Sequence, residues 1–136
     1  MTAIVVDTSA IVAILRDEPE KDRFVDAILA AAPRLISAVS LQEAGMVIAG
    51  RFGDEAAWEP LDALLARLDV EVVAHDAALA RIARVAFLRF GKGRHASRLN
   101  FGDCASYALA KAYGAPLLFK GEDFGLTDVE KTDEGP

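Results

Sequence analysis

Ala3-Ile4-Val5-Val6-Asp7-Thr8-Ser9-Ala10 is a β-branched run that ends in an acid and two hydroxyl residues. Apolar residues without polar alternation predict a strand covered on both faces, the pattern of a parallel sheet. Thr8 and Ser9, ahead of Ala10-Ile11-Val12, read as the start of a helix. Asp7 then stands at the carboxyl end of a central strand, where open α/β sheets bind ligands. A loop or N-cap aspartate is the competing reading of the same residue.

Outward from that run, strands and helices alternate. Residues 10–15 predict a short helix, and Pro19 suits the first turn of the next one. Phe24, Ala27, Ile28 and Ala31 form an amphipathic stripe stopped by Pro33, and Arg34-Leu35-Ile36-Ser37 is a second strand. Residues 37–52 predict a helix in which Ser40 and Glu43 match the capping box S-x-x-E and Gly53 is the stop. Its face of Leu41, Ala44, Gly45 and Ile48, with Val39, Met46 and Val47 flanking Glu43, predicts burial nearly all round. A glutamate in such a place needs a partner, because isolated buried charge is costly.

Residues 54–68 predict a helix with Trp58, Leu61, Leu65 and Leu68 in the core, followed by the strand Val70-Glu71-Val72-Val73. His75-Asp76 leads into a helix that packs through Leu79, Ile82, Ala83, Ala86, Phe87 and Phe90 and carries Arg81 and Arg84 on its other face. Gly91-Lys92-Gly93 breaks it. A further helix over residues 103–113 is closed by Gly114, and Leu117-Leu118-Phe119 is a fourth strand. A turn at Glu122-Asp123-Phe124, an edge strand over residues 126–129 and a frayed polar tail over 130–136 complete the expectation. This order predicts an α/β fold with a mostly parallel sheet, in a single domain over residues 1–136.

The 53% hydrophobic content is enough for a core, yet no run approaches the roughly 20 apolar residues of a membrane span. With no signal-peptide pattern at the start, the expected location is cytoplasmic. Cys104 is the lone cysteine, which excludes an internal disulfide or a cysteine-rich metal site and reads as a buried structural thiol. The net charge of −6 argues against a general nucleic-acid binder. The charge is uneven, however: between Asp76 and Asp103 there is no acid, while Arg81, Arg84, Arg89, Lys92, Arg94 and Arg98 all fall there. That window is either a solvated helix face with a basic loop or a contact for phosphate backbone.

Several motifs are absent. Gly91-Lys92-Gly93-Arg94-His95-Ala96 imitates a dinucleotide fingerprint but follows a helix instead of a strand. There is no phosphate loop or nucleophile elbow, and His75 and His95 lack zinc-ligand spacing. What remains is carboxylates at element ends: Asp7, Glu43, Asp103 and Asp123. A parallel sheet brings Asp7 and Asp123 to one edge, where the helix opened by Asp103 also approaches. Clustered carboxylates repel unless a cation neutralises them, and hard oxygen donors select Mg²⁺ or Mn²⁺. An acidic site beside a basic strip suits cleavage of a phosphodiester.

Asp7-Thr8-Ser9-Ala10, Glu43 in its S-x-x-E helix, Asn100-Phe101-Gly102-Asp103 and Leu118-Phe119-Lys120-Gly121-Glu122-Asp123-Phe124 together resemble a PIN domain. More closely, the ordered set is similar to the VapC toxins of bacterial toxin–antitoxin pairs. The resemblance implies a three-layer α/β/α fold and Mg²⁺- or Mn²⁺-dependent cleavage of RNA by a metal-activated water. It implies Asp7 and Asp103 as main metal ligands, with Glu43 and Asp123 acting through water or a second ion. Many PIN domains carry an acid three places before the phenylalanine, where this chain has Gly121. Asp123 is therefore the choice for the fourth acid, with Glu122 and Asp128 as alternates.

On the same reading Arg81, Arg84, Lys92, Arg94 and Arg98 hold the RNA backbone, and Thr8 and Ser9 hydrogen-bond the site or a phosphate. The implied partners are an RNA substrate, a VapB-like antitoxin and a second copy of the chain, with no membrane. Two alternatives stand: a PIN scaffold without catalysis, and an aspartyl phosphatase, whose usual Asp-x-Asp pair is broken here by Ser9.

Overall fold

The structure, a computed structural model, describes residues 1–132. Strands β1 (Ile4–Val6), β2 (Arg34–Ser37), β3 (Glu71–Val73) and β4 (Leu117–Leu118) pair in parallel in the order β3-β2-β1-β4. The alternation of side chains along β1 sends Ile4 and Val6 into one core and Val5 into the other. Helices α1 (Thr8–Leu15), α2 (Lys21–Leu29) and α4 (Glu59–Arg67) supply much of the first core; α5 (Ala77–Phe90) and α6 (Phe101–Tyr113) supply half of the second. Helix α3 (Ala38–Ala49) bridges the layers, touching both α1 and α6. The expected three-layer α/β/α fold is present.

The local chemistry differs from expectation at several element ends. Asp7 itself caps α1 by accepting the Ser9 N–H, so Thr8 and Ser9 lie inside the first turn. Ser37, instead of Ser40, caps α3, and Gly50 at φ 59° ends it three residues before Gly53. Helix α3 is not buried all round: Met46 and Val47 are 65% and 39% exposed, and Glu43 is half-buried. The helix expected over residues 54–68 splits, because Asp54 caps a 3₁₀ turn at Glu55–Trp58 before α4 begins. Trp58 leaves the core and donates its Nε1 hydrogen to the Gly45 carbonyl at 2.8 Å.

Past β4, Asp123–Leu126 is a 3₁₀ turn, and no strand forms over residues 126–129. The sheet edge is met slightly later: the Leu117 N–H donates to Glu130 at 2.8 Å, and Lys131 forms a bridge to Leu117. Thus residues 130–132 are tied down where a frayed tail was expected; residues 133–136 of that tail lie outside the described residues. Among the described residues no helix is long and apolar enough to cross a membrane.

Candidate metal centre

Asp7 leaves β1 and turns at once into α1, which buries its side chain at the carboxyl edge of the sheet. Its Oδ2 accepts from the Ser9 N–H at 3.0 Å and the Ser9 hydroxyl at 2.7 Å. Its Oδ1 accepts from the Ser106 hydroxyl at 2.6 Å. Ser106 in turn meets the Ser40 hydroxyl at 3.0 Å, and both serines are fully buried. One polar chain therefore joins β1, α3 and α6, the elements that carry Asp7, Glu43 and Asp103. Neither serine figured among the expected site residues. The signal was a serine set among Cys104, Ala105, Ala108 and Leu109, since a buried hydroxyl needs a partner.

Ser106→Ala removes the only donor to Asp7 Oδ1 among these bonds and leaves Ser40 without its partner. The unfolding free energy is expected to fall by about 1.5 kcal/mol. A urea midpoint equal to that of the wild type would show that Asp7 finds a replacement donor.

Asp103 sits at the third position of α6 in a reciprocal cap. Its N–H donates to Asn100 Oδ1 at 2.8 Å, and its Oδ2 accepts from the Asn100 N–H at 3.0 Å. Burial pushes the Asp103 carboxyl up from 3.8 to about 6; the Asn100 N–H opposes this, and the negative charges of Asp7, Glu43 and Asp123 push it further. The other three carboxylates expected from the sequence, Asp7, Glu43 and Asp123, thus act electrostatically on Asp103. Asp7 follows β1, Glu43 lies in α3, Asp103 in α6, and Asp123 opens the 3₁₀ turn beyond β4. Among the described residues, ion pairs engage other acids: Asp17, Glu18, Glu20 and Asp128.

The two alternates for the fourth acid fare differently from Asp123. Asp128 accepts from the Tyr107 hydroxyl at 2.5 Å and pairs with Lys111 at 3.3 Å and Arg89 at 3.6 Å, so its charge is neutralised in a separate cluster. Asp123 is among the charges that raise Asp103. Gly121, where many PIN domains carry an acid, is held at φ 105°, a region that L side chains rarely adopt.

The chemistry of the donors suits a hard divalent cation: carboxylate oxygens and negative charge around an elevated Asp103 carboxyl. The set is not a finished cage, because among the described residues no three Asp, Glu, His or Cys side chains converge into a metal-holding group. Thr8 is buried with its hydroxyl directed to the Ser40 carbonyl at a long 3.4 Å. Ser9 Oγ also accepts from the Lys120 N–H at 2.9 Å, so both hydroxyls expected at a substrate are used inside the protein. Cys104 is buried as expected, and burial raises its thiol to about 11.

Arg81, Arg84, Lys92, Arg94 and Arg98 are all exposed. They do not form one strip. Arg81 lines a groove of about 420 Å³ with Arg89, Tyr107 and Lys111, whereas Arg84 lines one of about 360 Å³ with His75, Phe87, Phe101 and Cys104. Arg94 lies over the Phe87 ring at 5.9 Å, on the Arg84 side. That second groove reaches Phe101, two residues from Asp103. His95 serves its own loop, with Nδ1 2.7 Å from the Ser97 hydroxyl and its ring edge-on to Phe90.

Known proteins identify the family. The PIN domain family model matches residues 4–130. The chain is 52% identical to Ribonuclease VapC of Mycolicibacterium smegmatis over 126 residues, covering 93% of this chain and 97% of the relative. It is 44% identical to Ribonuclease VapC28 of Mycobacterium tuberculosis over 129 residues, 94% of this chain and 96% of the relative. The crystal structure of the Mycobacterium tuberculosis sarcin–ricin-loop-cleaving toxin VapC20 superposes with a TM-score of 0.71 at 23% identity, covering 95% and 98% of the two chains. That of Rickettsia felis VapBC2 bound to promoter DNA gives 0.72 at 18%, covering 96% and 97%. The two structures speak for the fold; the sequence matches, which span almost the whole chain, show that this protein belongs to the PIN domain family.

Proposed function

We propose that this chain is a metal-dependent endoribonuclease, the toxin of a VapBC-type toxin–antitoxin pair. The carrying observation is geometric: Ser106 of α6 holds the buried Asp7 at 2.6 Å, and the Glu43 carboxylate lies against Gly102, next to Asp103, in the first turn of the same helix. Relatives named ribonuclease VapC across nearly the full length support it. Asp7 and Asp103 would hold Mg²⁺ or Mn²⁺, with Glu43 and Asp123 acting through water or a second ion. When bound, the cation supplies an acidified water nucleophile and neutralises charge on the phosphoryl and leaving oxygens. Ser9 and Ser106 hold both Asp7 oxygens in place, and the Asn100 cap fixes the Asp103 carboxylate.

Arg84 and Arg94, on the Phe101 side of α5, are the residues best placed to hold RNA phosphates near the acids. Arg84→Ala is expected to weaken RNA binding and to reduce the slope of log affinity against log salt by about 0.7. An unchanged slope in filter binding at several salt concentrations would remove Arg84 from the interface.

A cognate VapB-like antitoxin and homodimerisation belong to the same reading. Met46, Val47, Phe52 and Trp58 around α3, and Val85, Phe87, Leu88 and Phe101 around α5, leave two apolar surfaces exposed. VapBC structures share the fold.

Mapping new RNA ends in cells that express the chain, beside an Asp7→Asn control, tests the nuclease reading and names its target. That no three acids converge into a metal-holding group among the described residues favours one rival, a PIN scaffold that binds RNA or protein without catalysis. Calorimetry showing no Mn²⁺ binding at millimolar concentration would select that rival.

A further inference from the structure

Gly102 lies in the first turn of α6, buried, immediately before Asp103. The space its side chain would take is filled by the end of another residue. A Cβ on Gly102 would stand 2.7 Å from both Oε1 and Oε2 of Glu43 and 2.9 Å from its carboxyl carbon. Both oxygens lie nearer than the carbon, so that methyl would stand against the oxygen end of the carboxylate. Non-bonded heavy atoms prefer roughly 3.5–4.0 Å, so one of the two groups must move.

The helix turn is the less yielding partner. The reciprocal Asn100–Asp103 cap locks it, and α6 packs against both α5 and α3. Glu43 is the far end of a flexible side chain. Nor does the backbone ask for glycine here: the glycines with positive φ are Gly50, Gly93, Gly114 and Gly121. A helix prefers alanine to glycine, because glycine loses more conformational freedom on folding. The three nearest atoms an alanine methyl would meet all belong to the Glu43 carboxylate, so the side chain that must give way is Glu43.

We propose that Gly102 is a positioning residue whose bare Cα seats the Glu43 carboxylate beside Asp103. The acids of α3 and α6 share one pocket because the helix surface between them carries no side chain. The inference rests on the metal-centre reading above.

The test uses the full chain, with Mn²⁺ as probe. Gly102→Ala displaces Glu43 and lowers Mn²⁺ affinity about tenfold by calorimetry, the size typical when a ligand's support is lost. The metal-free variant melts no lower than the wild type, since the helix gains a better helix former and one carboxylate leaves the cluster. In a Glu43→Ala background the added methyl meets no carboxylate, and Gly102→Ala changes affinity by less than about twofold.

Mn²⁺ affinity of Gly102→Ala within about twofold of the wild type, or an equal loss in both backgrounds, would overturn the proposal. A melting point well below that of the wild type would do so too, because the helix itself would then be rejecting the methyl. Absence of Mn²⁺ binding by the wild type is a different result and overturns the metal centre itself.

Discussion

Asp7→Asn is expected to lower Mg²⁺-dependent RNA cleavage by more than about 100-fold while the protein still folds, because a metal ligand contributes several kcal/mol to stabilising transition-state charge. The substitution removes charge and spares the hydrogen-bond frame. An amide oxygen still accepts both Ser9 hydrogens now directed at Oδ2. The amide nitrogen then faces Ser106, whose hydroxyl can accept it and turn its own hydrogen to Ser40. Cleavage of a defined RNA, followed at saturating Mg²⁺ alongside a thermal melt, separates lost chemistry from lost structure. Undiminished cleavage by a folded Asp7→Asn variant would end the nuclease reading.

The second large effect concerns stability and pH in the metal-free protein. The Asp103 carboxyl is raised in the folded state, from 3.8 to about 6, chiefly by burial. Below about pH 4 both folded and unfolded chains hold this proton, and the group makes no difference. As pH rises toward about 6 the unfolded chain releases the proton first, so the folded state loses stability until its own carboxyl ionises. The full shift is worth at most about 3 kcal/mol, and partial exposure reduces that to about 2 kcal/mol above about pH 7.

Asp103→Asn keeps an oxygen to accept the Asn100 N–H and removes the charge. Its melting point is expected about 6 °C above the wild type at about pH 7.5 and level with it near pH 4. Added Mg²⁺ should narrow the gap by stabilising the wild type, through binding to the folded state alone. Stability curves for the two proteins that run parallel from about pH 4 to about pH 8 would refute the account.

The residues divide according to how local their physics is. The strand at Ile4–Val6 is legible because an unbroken β-branched run suits only a strand covered on both faces, and both cores do cover it. Gly114 as the stop of α6, and the strands β2 and β4, are legible for similar reasons. Ser40 imitates a cap because S-x-x-E is a short-range pattern that a buried serine satisfies by coincidence. Its actual partner, Ser106, is 66 residues away. Trp58 and Met46 look like core in the sequence because periodicity reports that a face is apolar, not whether anything covers it.

Sequence by itself determined the parallel α/β fold and the hydroxyl pair after β1, and it singled out the four acids as candidates, since each rests on short-range pattern or on residue chemistry. Only the tertiary structure brought Glu43 of α3 against the first turn of α6 and Ser106 onto Asp7, because strand order and helix packing set distances that spacing along the chain does not contain. It removed Asp128 to an ion-pair cluster with Lys111 and Arg89, and it divided the basic residues between two sides of α5. It also turned Thr8 and Ser9 inward. Asp7 is the residue at which both levels meet: one oxygen caps the helix that follows it in sequence, and the other is held by a serine 99 residues away.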